Sequence, residues 1–246
     1  MRIAVVSDIH GNLPALEAVV ADFQRRGVDA VVNLGDSLSG PLLPLETAQF
    51  LMSQDWAHLA GNHERQILDT RVDQSASDLY ARSQLTEHEL SWLRTLGPRA
   101  DYADDVLLCH GTPDNDLHYL METVEPDCFR MASAVELEKR LRGARAALIV
   151  CGHSHVPRSL RTAHDQLVVN PGSVGVPGYR ATAPHPHLVQ NGSPDARYAI
   201  VERRGGRWQS GLFAVPYDFR PMAALAAQRG RPEWERVLST GYVGNG

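Results

Sequence analysis

Arg2-Ile-Ala-Val-Val-Ser-Asp-Ile-His-Gly-Asn12 is the stretch from which the fold of this 246-residue chain is read. Ile3 to Val6 is an unbroken apolar run, the pattern of a strand buried on both faces. It stops at Ser7-Asp8-Ile9-His10-Gly11, where an aspartate and a histidine stand one residue apart. A carboxylate oxygen and an imidazole nitrogen placed there suit one metal ion, and the carboxyl ends of strands are where open α/β sheets bind ligands. Taken alone, Asp8 reads better as a helix-starting residue and His10 as a strand cap. The remainder of the chain decides between the two readings.

Working outward, Asn12 to Arg26 reads as a helix, with Leu16, Val19, Val20 and Phe23 on one face, Pro14 in its first turn and Gly27 just past its end. Asp29 to Leu34 is a second buried strand ending at Gly35-Asp36, so the unit is β-α-β and the pair parallel. A short helix near Leu45 to Gln54 precedes a third strand near Trp56 to Ala60, which ends at Gly61-Asn62-His63-Glu64. Arg65 to Leu85 has a weak apolar pattern and is expected to hold helical pieces and a surface excursion. Thr86-x-x-Glu89 is a capping box opening a helix that Gly97-Pro98 ends. Asp105 to Cys109 is a strand delivering His110-Gly111, and the polar segment Thr112 to Phe129 is expected as a loop or partial lid. After a helix over Ala132 to Arg142, the apolar run before Cys151 ends at Gly152-His153-Ser154-His155.

Beyond Arg158 the style changes to short strands: Arg158 to Thr162, Gln166 to Asn170, and a hairpin of Arg197 to Arg203 with Arg207 to Val215 about Gly205-Gly206. Residues 176–195 have no periodicity and are expected as an exposed insertion; residues 216–246 are expected as C-terminal helices. The fold class is α/β with mixed sheets and a β-rich second half, in a single domain over 1–246.

Composition narrows the function. At 43% hydrophobic and 22% charged, the chain has the balance of a soluble globular protein, and no stretch approaches the length of a membrane span. A net charge of −5 argues against long nucleic acid as a partner, yet it leaves a small phosphorylated substrate open, because bound divalent cations reverse a local field. Cys109, Cys128 and Cys151 lack paired spacing and read as reduced thiols, which places the protein in the cytoplasm.

Five strand ends therefore carry metal-competent residues: Asp8 with His10, Asp36, Asn62 with His63, His110, and His153 with His155. In order, Asp8-x-His10, Gly35-Asp36, Gly61-Asn62-His63-Glu64, His110-Gly111 and Gly152-His153-Ser154-His155 match the five motifs of the calcineurin-like metallophosphoesterases. The chain resembles most the bacterial branch of small phosphodiesterase-like members, echoed also in Gly40-Pro41, in Asn170 to Gly175 and in Tyr217-Asp218.

The resemblance implies a four-layer α/β/β/α sandwich. It implies one metal held by Asp8, His10, Asp36 and His155, and a second held by Asp36, Asn62, His110 and His153. A ligand set of nitrogen and oxygen without thiolate suits manganese or iron, with zinc as the alternative. His63 would protonate or stabilise the leaving oxygen in a two-metal hydrolysis, with the ions roughly 3.5–4 Å apart activating a bridging water. Protein phosphatases of this superfamily follow Gly-Asp with Asp-Arg-Gly, whereas here Ser37-Leu38-Ser39-Gly40 supplies neither acid nor arginine, which counts against a protein-phosphatase assignment and leaves the residue orienting His63 unidentified.

Asn12 and Arg180 are the candidate substrate contacts. Arg180, His185 and His187 read as a solvated loop with reach into the cleft as the alternative, His118 as lid or surface, and His58, His88 and His164 as structural or exposed. The expected activity is hydrolysis of a phosphodiester or small phosphorylated metabolite. Its rivals are phosphomonoesterase, protein phosphatase and nuclease activity, and a non-catalytic metal-binding sensor or scaffold.

Overall fold

The computed structural model describes residues 1–69, 71 and 74–244. β1 (Arg2–Val6) leads through α1 (Leu13–Arg26) to β2 (Ala30–Asn33), and α2 (Pro44–Met52) leads to β3 (Ala57–His58). Then come α3 (Asn62–Leu68), α4 (Ala76–Gln84) and α5 (Glu87–Leu93). They are followed by β4 (Arg99–Tyr102), β5 (Val106–Cys109), β6 (Glu122–Glu125), β7 (Cys128–Met131), α6 (Ala134–Leu141) and β8 (Leu148–Val150). The later chain adds β9 (Arg158–Arg161), β10 (Leu167–Asn170), β11 (Gly178–Ala181), β12 (His187–Gln190), β13 (Ala196–Arg204) and β14 (Arg207–Val215). It closes with α7 (Arg220–Gln228) and α8 (Pro232–Thr240).

Two mixed sheets result, in the orders β14-β13-β1-β2-β3 and β4-β5-β8-β10-β9. The strands at their centres are parallel where they carry the motifs: β1 with β2, β2 with β3, and β5 with β8. The continuous apolar runs explain the layering. Side chains alternate faces along a strand, so each run divides by parity between two cores. Ile3, Val5 and Val32 meet Val106, Leu108, Leu148 and Val150 in a core between the sheets. Their neighbours Ala4, Val6 and Val31 face outward onto Leu16, Val19 and Phe23 of α1. On the other sheet Leu107, Cys109, Ile149 and Cys151 face Leu137 and Leu141 of α6. The order of layers is thus helix, sheet, sheet, helix. Burying each Val, Leu or Ile contributes about 1.5–3 kcal/mol, and both faces of every central strand are used.

Three stretches differ from the sequence reading, and a fourth holds the helical pieces expected of it. Arg99–Tyr102 is a strand, but it pairs at a sheet edge with alternately exposed residues and has no apolar run to betray it. The segment expected as a loop or partial lid contains the β6–β7 hairpin, whose Glu-Thr-Val-Glu strand is polar because Glu122 is buried against Arg158 (3.0 Å). Residues 176–195 are not an exposed insertion: β11 and β12 form an antiparallel hairpin, with Val176, His187 and Val189 buried. Two four-residue strands are too short for a period of two to show. The weak region after Arg65 holds the rest of α3 and all of α4, while residues 70, 72 and 73 lie outside the described residues. No described helix is long and apolar enough to cross a membrane.

Candidate metal centre

All five motif-bearing strand ends open on the same side of the two sheets, and backbone hydrogen bonds tie their loops together. Asp8, His10 and Gly11 donate from their amides to the carbonyls of Gly35 (3.0 Å), Asp36 (3.1 Å) and Ser37 (2.9 Å). Gly152 N donates to His110 O at 2.7 Å, joining the loops of the second sheet. The Asn170 to Gly175 stretch links the sheets. Asn170 Nδ2 donates to Gly152 O (2.7 Å), Ser173 Oγ to Asp8 O (2.7 Å), and Gly175 passes so close that a Cβ would lie 1.8 Å from Ile9 O. Asp8, His10, Asp36, His153 and His155 all have φ between 52° and 67°. Non-glycine residues rarely adopt this left-handed conformation, and such backbone strain concentrates at functional sites.

The side chains gather in two groups, Asp8 with His10 and His155, and Asp36 with His110 and His153, the ligand atoms in each lying within 4.8 Å of one another. Three of the four histidines are held by their outer nitrogen. Nδ1 of His10 lies 2.7 Å from Ser39 O, that of His110 2.9 Å from Leu34 O, and that of His155 2.7 Å from Val176 O. A carbonyl can only accept, so each Nδ1 carries a proton and each ring turns its Nε2 inward. Burial beside the His155 ring pushes His10 down to about 4, and burial beside the His110 ring pushes His153 to about 3, so both are neutral at pH 7.

The inward-facing atoms crowd together with few hydrogen bonds between them. His10 Nε2 and His155 Nε2 are 3.3 Å apart, Asp8 Oδ1 is 3.3 Å from His155 Nε2, and Asp8 Oδ1 has no hydrogen-bond partner. With its nitrogen on Gln66 Oε1 (3.3 Å), Asn62 points its oxygen at Asp36 Oδ2 (3.3 Å) and at the ring nitrogens His153 Nδ1 (3.0 Å) and His110 Nε2 (3.3 Å). Rotating that amide would pair it with its neighbours; a cation between the four atoms removes the same conflict without rotation. Neither Asp8 nor Asp36 has a Lys or Arg within 4.0 Å among the described residues, although both are buried. Buried carboxylates without a fixed positive partner are costly. Asp36 responds by raising its neighbour: burial alone would lower His110, but that carboxylate at 3.1 Å outweighs it and lifts the imidazole to about 10. The donor set fits a metal ion in each group.

His63 stands beside this centre, its ring centroid 5.5 Å from that of His10. Its Nδ1 lies 2.7 Å from Asp78 Oδ1, and Asp78 in turn accepts from Ser75 Oγ at 2.6 Å. The acid missing after Gly35-Asp36 is therefore supplied from the first turn of α4. Burial pulls His63 down, but the carboxylates of Asp36 and Asp78 outweigh it and raise the imidazole to about 9. In sequence Asp78 looks like nothing more than an acid three residues after the helix-capping Ser75.

Glu64, next to His63 in the chain, has a different task. Its carboxylate accepts from the backbone amides of Asp36 (2.7 Å), Ser37 (2.8 Å) and Gly61 (2.8 Å), stitching the second and third motifs together. Gly61 fits there only as glycine, since a Cβ would lie 2.2 Å from Asp36 Oδ1. Glu64→Gln replaces one acceptor oxygen by an amide that must face a backbone N–H. The variant is expected to lose about 1–3 kcal/mol of stability, read as a lower urea midpoint at unchanged m-value in chelator-treated protein.

The remaining expected residues are placed as follows. Asn12 does not offer a polar atom to a substrate: its Oδ1 caps α1 on Ala15 N, and its Nδ2 donates to Gly175 O and Tyr217 OH, both at 2.9 Å. Tyr217, picked out in the sequence only as an echo, is thereby its partner. Arg180 sits on β11 with Nη2 donating to Gly244 O (3.0 Å). His187 is buried and reaches the centre's edge through Tyr119, whose hydroxyl is 2.9 Å from His187 Nε2 and 2.7 Å from Tyr179 OH. His118, His88 and His164 are exposed, and His58 packs between Trp56 and Trp92. The sequence reading overlooked Tyr119 and Tyr179, whose rings lie 5.1 Å from His153 and 4.7 Å from His155, and Trp234 of α8, 6.2 Å from His10. An aromatic in a hairpin or terminal helix carries no local mark of such a role.

Comparison with known proteins follows the same lines. A family model described as the calcineurin-like phosphoesterase superfamily domain matches residues 1–189. A protein of Methanocaldococcus jannaschii, itself uncharacterized, is 24% identical, with 94% of each chain covered. Among solved structures, a metallophosphoesterase from Sphaerobacter thermophilus superposes with a TM-score of 0.77 at 25% identity, covering 98% of this chain and 99% of that one. A hypothetical protein from Pyrococcus horikoshii superposes with a TM-score of 0.75 at 17% identity, covering 99% of both, and shares the fold.

Proposed function

Since the chain belongs to the calcineurin-like phosphoesterase superfamily, as a metal-dependent phosphoric ester hydrolase, we propose that it hydrolyses a phosphodiester or a small phosphorylated metabolite at a two-ion centre. The observation that carries this reading is the pair of candidate ligand groups whose nitrogen and oxygen atoms converge on one another, with the His63–Asp78 pair alongside. Asp8, His10 and His155 would hold one ion, Asn62, His110 and His153 the other, with Asp36 between them. The nitrogen and oxygen donors favour manganese or iron over magnesium. Such ions supply charge stabilisation for phosphate oxygens and an activated water.

The chain's own residues do the rest. Asp78 holds the Nδ1 proton of His63, so Nε2 is left to deliver a proton to the leaving oxygen. The carbonyls of Ser39, Leu34 and Val176 fix three imidazoles in the tautomer that binds metal. The diester preference rests on the missing Asp-Arg-Gly after Gly35-Asp36: Ser37-Leu38-Ser39-Gly40 offers no arginine there to grip phosphate, and a diester, with one negative charge fewer than a monoester dianion, needs it less. Three free cysteines, two of them buried, suit the cytoplasm.

The test is manganese-dependent hydrolysis of bis-p-nitrophenyl phosphate against p-nitrophenyl phosphate, with chelated protein as the blank. Faster turnover of the diester, abolished by chelation, is the expected result. Turnover of the monoester alone would move the assignment to a phosphatase. Metal binding without hydrolysis of either would make the protein a sensor or scaffold.

A further inference from the structure

Beside the centre lies a cavity of about 520 Å³ between the β11–β12 hairpin and α8. It is within the size range of small-molecule sites, and two of its walls belong to the centre. The Tyr179 ring packs edge-on against His155 at 4.7 Å, and the Trp234 indole lies 6.2 Å from the His10 ring. Val176, which also lines the cavity, supplies the carbonyl that holds His155 Nδ1. At its far rim Arg231 donates to Ser77 Oγ at 3.2 Å, and Ser77 immediately precedes Asp78, the partner of His63. The cavity therefore adjoins two candidate ligand rings through Tyr179 and Trp234 and, through Arg231 and Ser77, the neighbourhood of the His63–Asp78 pair.

Its chemistry is unlike that of the chain as a whole. Arg180, Arg231 and Arg236 line it with a single carboxylate, Glu233, in a protein whose net charge is −5. Arg231 is paired with Glu233 at 2.5 Å and lies over the Trp234 ring, its guanidinium carbon 5.8 Å from the centroid. Arg180 and Arg236 have no carboxylate partner within 4.0 Å among the described residues, and Arg180 donates only to the Gly244 carbonyl. Flat aromatic walls favour a flat ring, and guanidinium groups without a carboxylate partner among the described residues favour an anion. An acyl chain would use the apolar wall and leave the arginines idle; a simple sugar would do the reverse.

We propose that this cavity is the leaving-group subsite, and that it takes a flat heteroaromatic ring bearing a second negative charge, as in a nucleotide. Trp234 and Tyr179 stack on or edge the ring, while Arg180 and Arg236 hold the second anion. The inference rests on the phosphoester reading above for its reacting phosphate, and the experiment separates the two. Ribose 5-phosphate, adenosine 5′-monophosphate and adenosine 3′,5′-bisphosphate are titrated calorimetrically into the full manganese-loaded chain. The added ring is expected to tighten binding about tenfold, the worth of one good stacking contact. The second phosphate is expected to tighten it about tenfold again, as charge-assisted hydrogen bonds do.

Trp234→Ala should erase the first step, Trp234→Phe should keep most of it, and the double variant Arg180→Gln with Arg236→Gln should erase the second. Equal affinity of wild-type protein for the three probes overturns the proposal without any variant having to fold. Stepwise binding by protein that hydrolyses no phosphoester would uphold the subsite and sink the catalytic assignment. Hydrolysis of bis-p-nitrophenyl phosphate without stepwise binding would do the opposite.

Discussion

His63→Ala is expected to lower kcat by about 10²–10⁴, the range for loss of a general acid, while the bound metal content stays at the wild-type level. His63 is not in either ligand group, and its ring reaches the centre's edge rather than its interior. The size of the loss should follow the leaving group. A weakly basic p-nitrophenolate departs with little help, so bis-p-nitrophenyl phosphate should sit at the low end and an alkyl ester at the high end. Asp78→Asn acts only through His63. It removes the carboxylate 2.7 Å from Nδ1 and should cost about 10–100-fold in kcat with KM little changed, within the usual 0.5–3 kcal/mol coupling of touching residues. Adding Asp78→Asn to His63→Ala should then cost nothing more. Additive losses in that double variant would show that Asp78 serves α4 and not the histidine.

That pair also marks where the sequence stops being informative. The metal-competent residues were legible because each is delivered by an apolar run that gives way at once to Asp, Asn or His, in most cases beside a glycine. A buried strand rarely ends on such a side chain five times over unless those ends share a ligand. Their division into two groups depends on which loops hydrogen-bond, as Asp8 to Gly35 and Gly152 to His110 do, and no run of residues displays that. Asp78 lies 15 positions after His63, beyond an irregular stretch, and a helix-capping context accounts for it fully. Glu64 is the converse case: adjacency to His63 invites a catalytic role, yet its carboxylate is spent on three backbone amides.

The fold divides similarly. Long helices and buried parallel strands announce themselves through period and apolarity, and the parity of Ile3, Ala4, Val5 and Val6 even contains the two-core layering. What escaped were short elements whose stability is supplied by their surroundings. β11 and β12 are four residues each and hold only because Val176 and Val189 are buried and Asn191 Nδ2 grips Pro177 O at 2.9 Å and His155 O at 3.0 Å. A hairpin fastened to the backbone of a candidate ligand histidine is poorly described as an insertion. It forms one wall of the cavity beside the centre.

Asp36→Asn separates folding from function more sharply than any other substitution in the centre. Asparagine keeps the shape and can still accept from His63 N, now 2.9 Å from Asp36 Oδ1. In place of Oδ2 it sets an amide donor about where Asn62 Oδ1 and His110 Nε2 already wait, 3.3 and 3.1 Å away. Protons then fill a gap that a cation would otherwise fill. The metal-free variant is therefore expected to fold with a melting point close to that of metal-free wild type, because loss of the Asp36–His110 pair is offset by removal of a buried charge. With manganese the variant should fall behind. Ligand binding stabilises by about 4 kcal/mol at a thousandfold excess over Kd, and a variant holding fewer ions forgoes part of that gain. Turnover of the diester should fall by about 10³ or more, since about 4 kcal/mol of charge stabilisation at the reacting phosphate is worth that factor. Metal analysis after desalting, with melting curves in chelator and in manganese, reads all three effects. An Asp36→Asn protein that keeps both its full manganese content and its diester turnover would remove Asp36 from the position between the two ions, and the two-ion proposal with it.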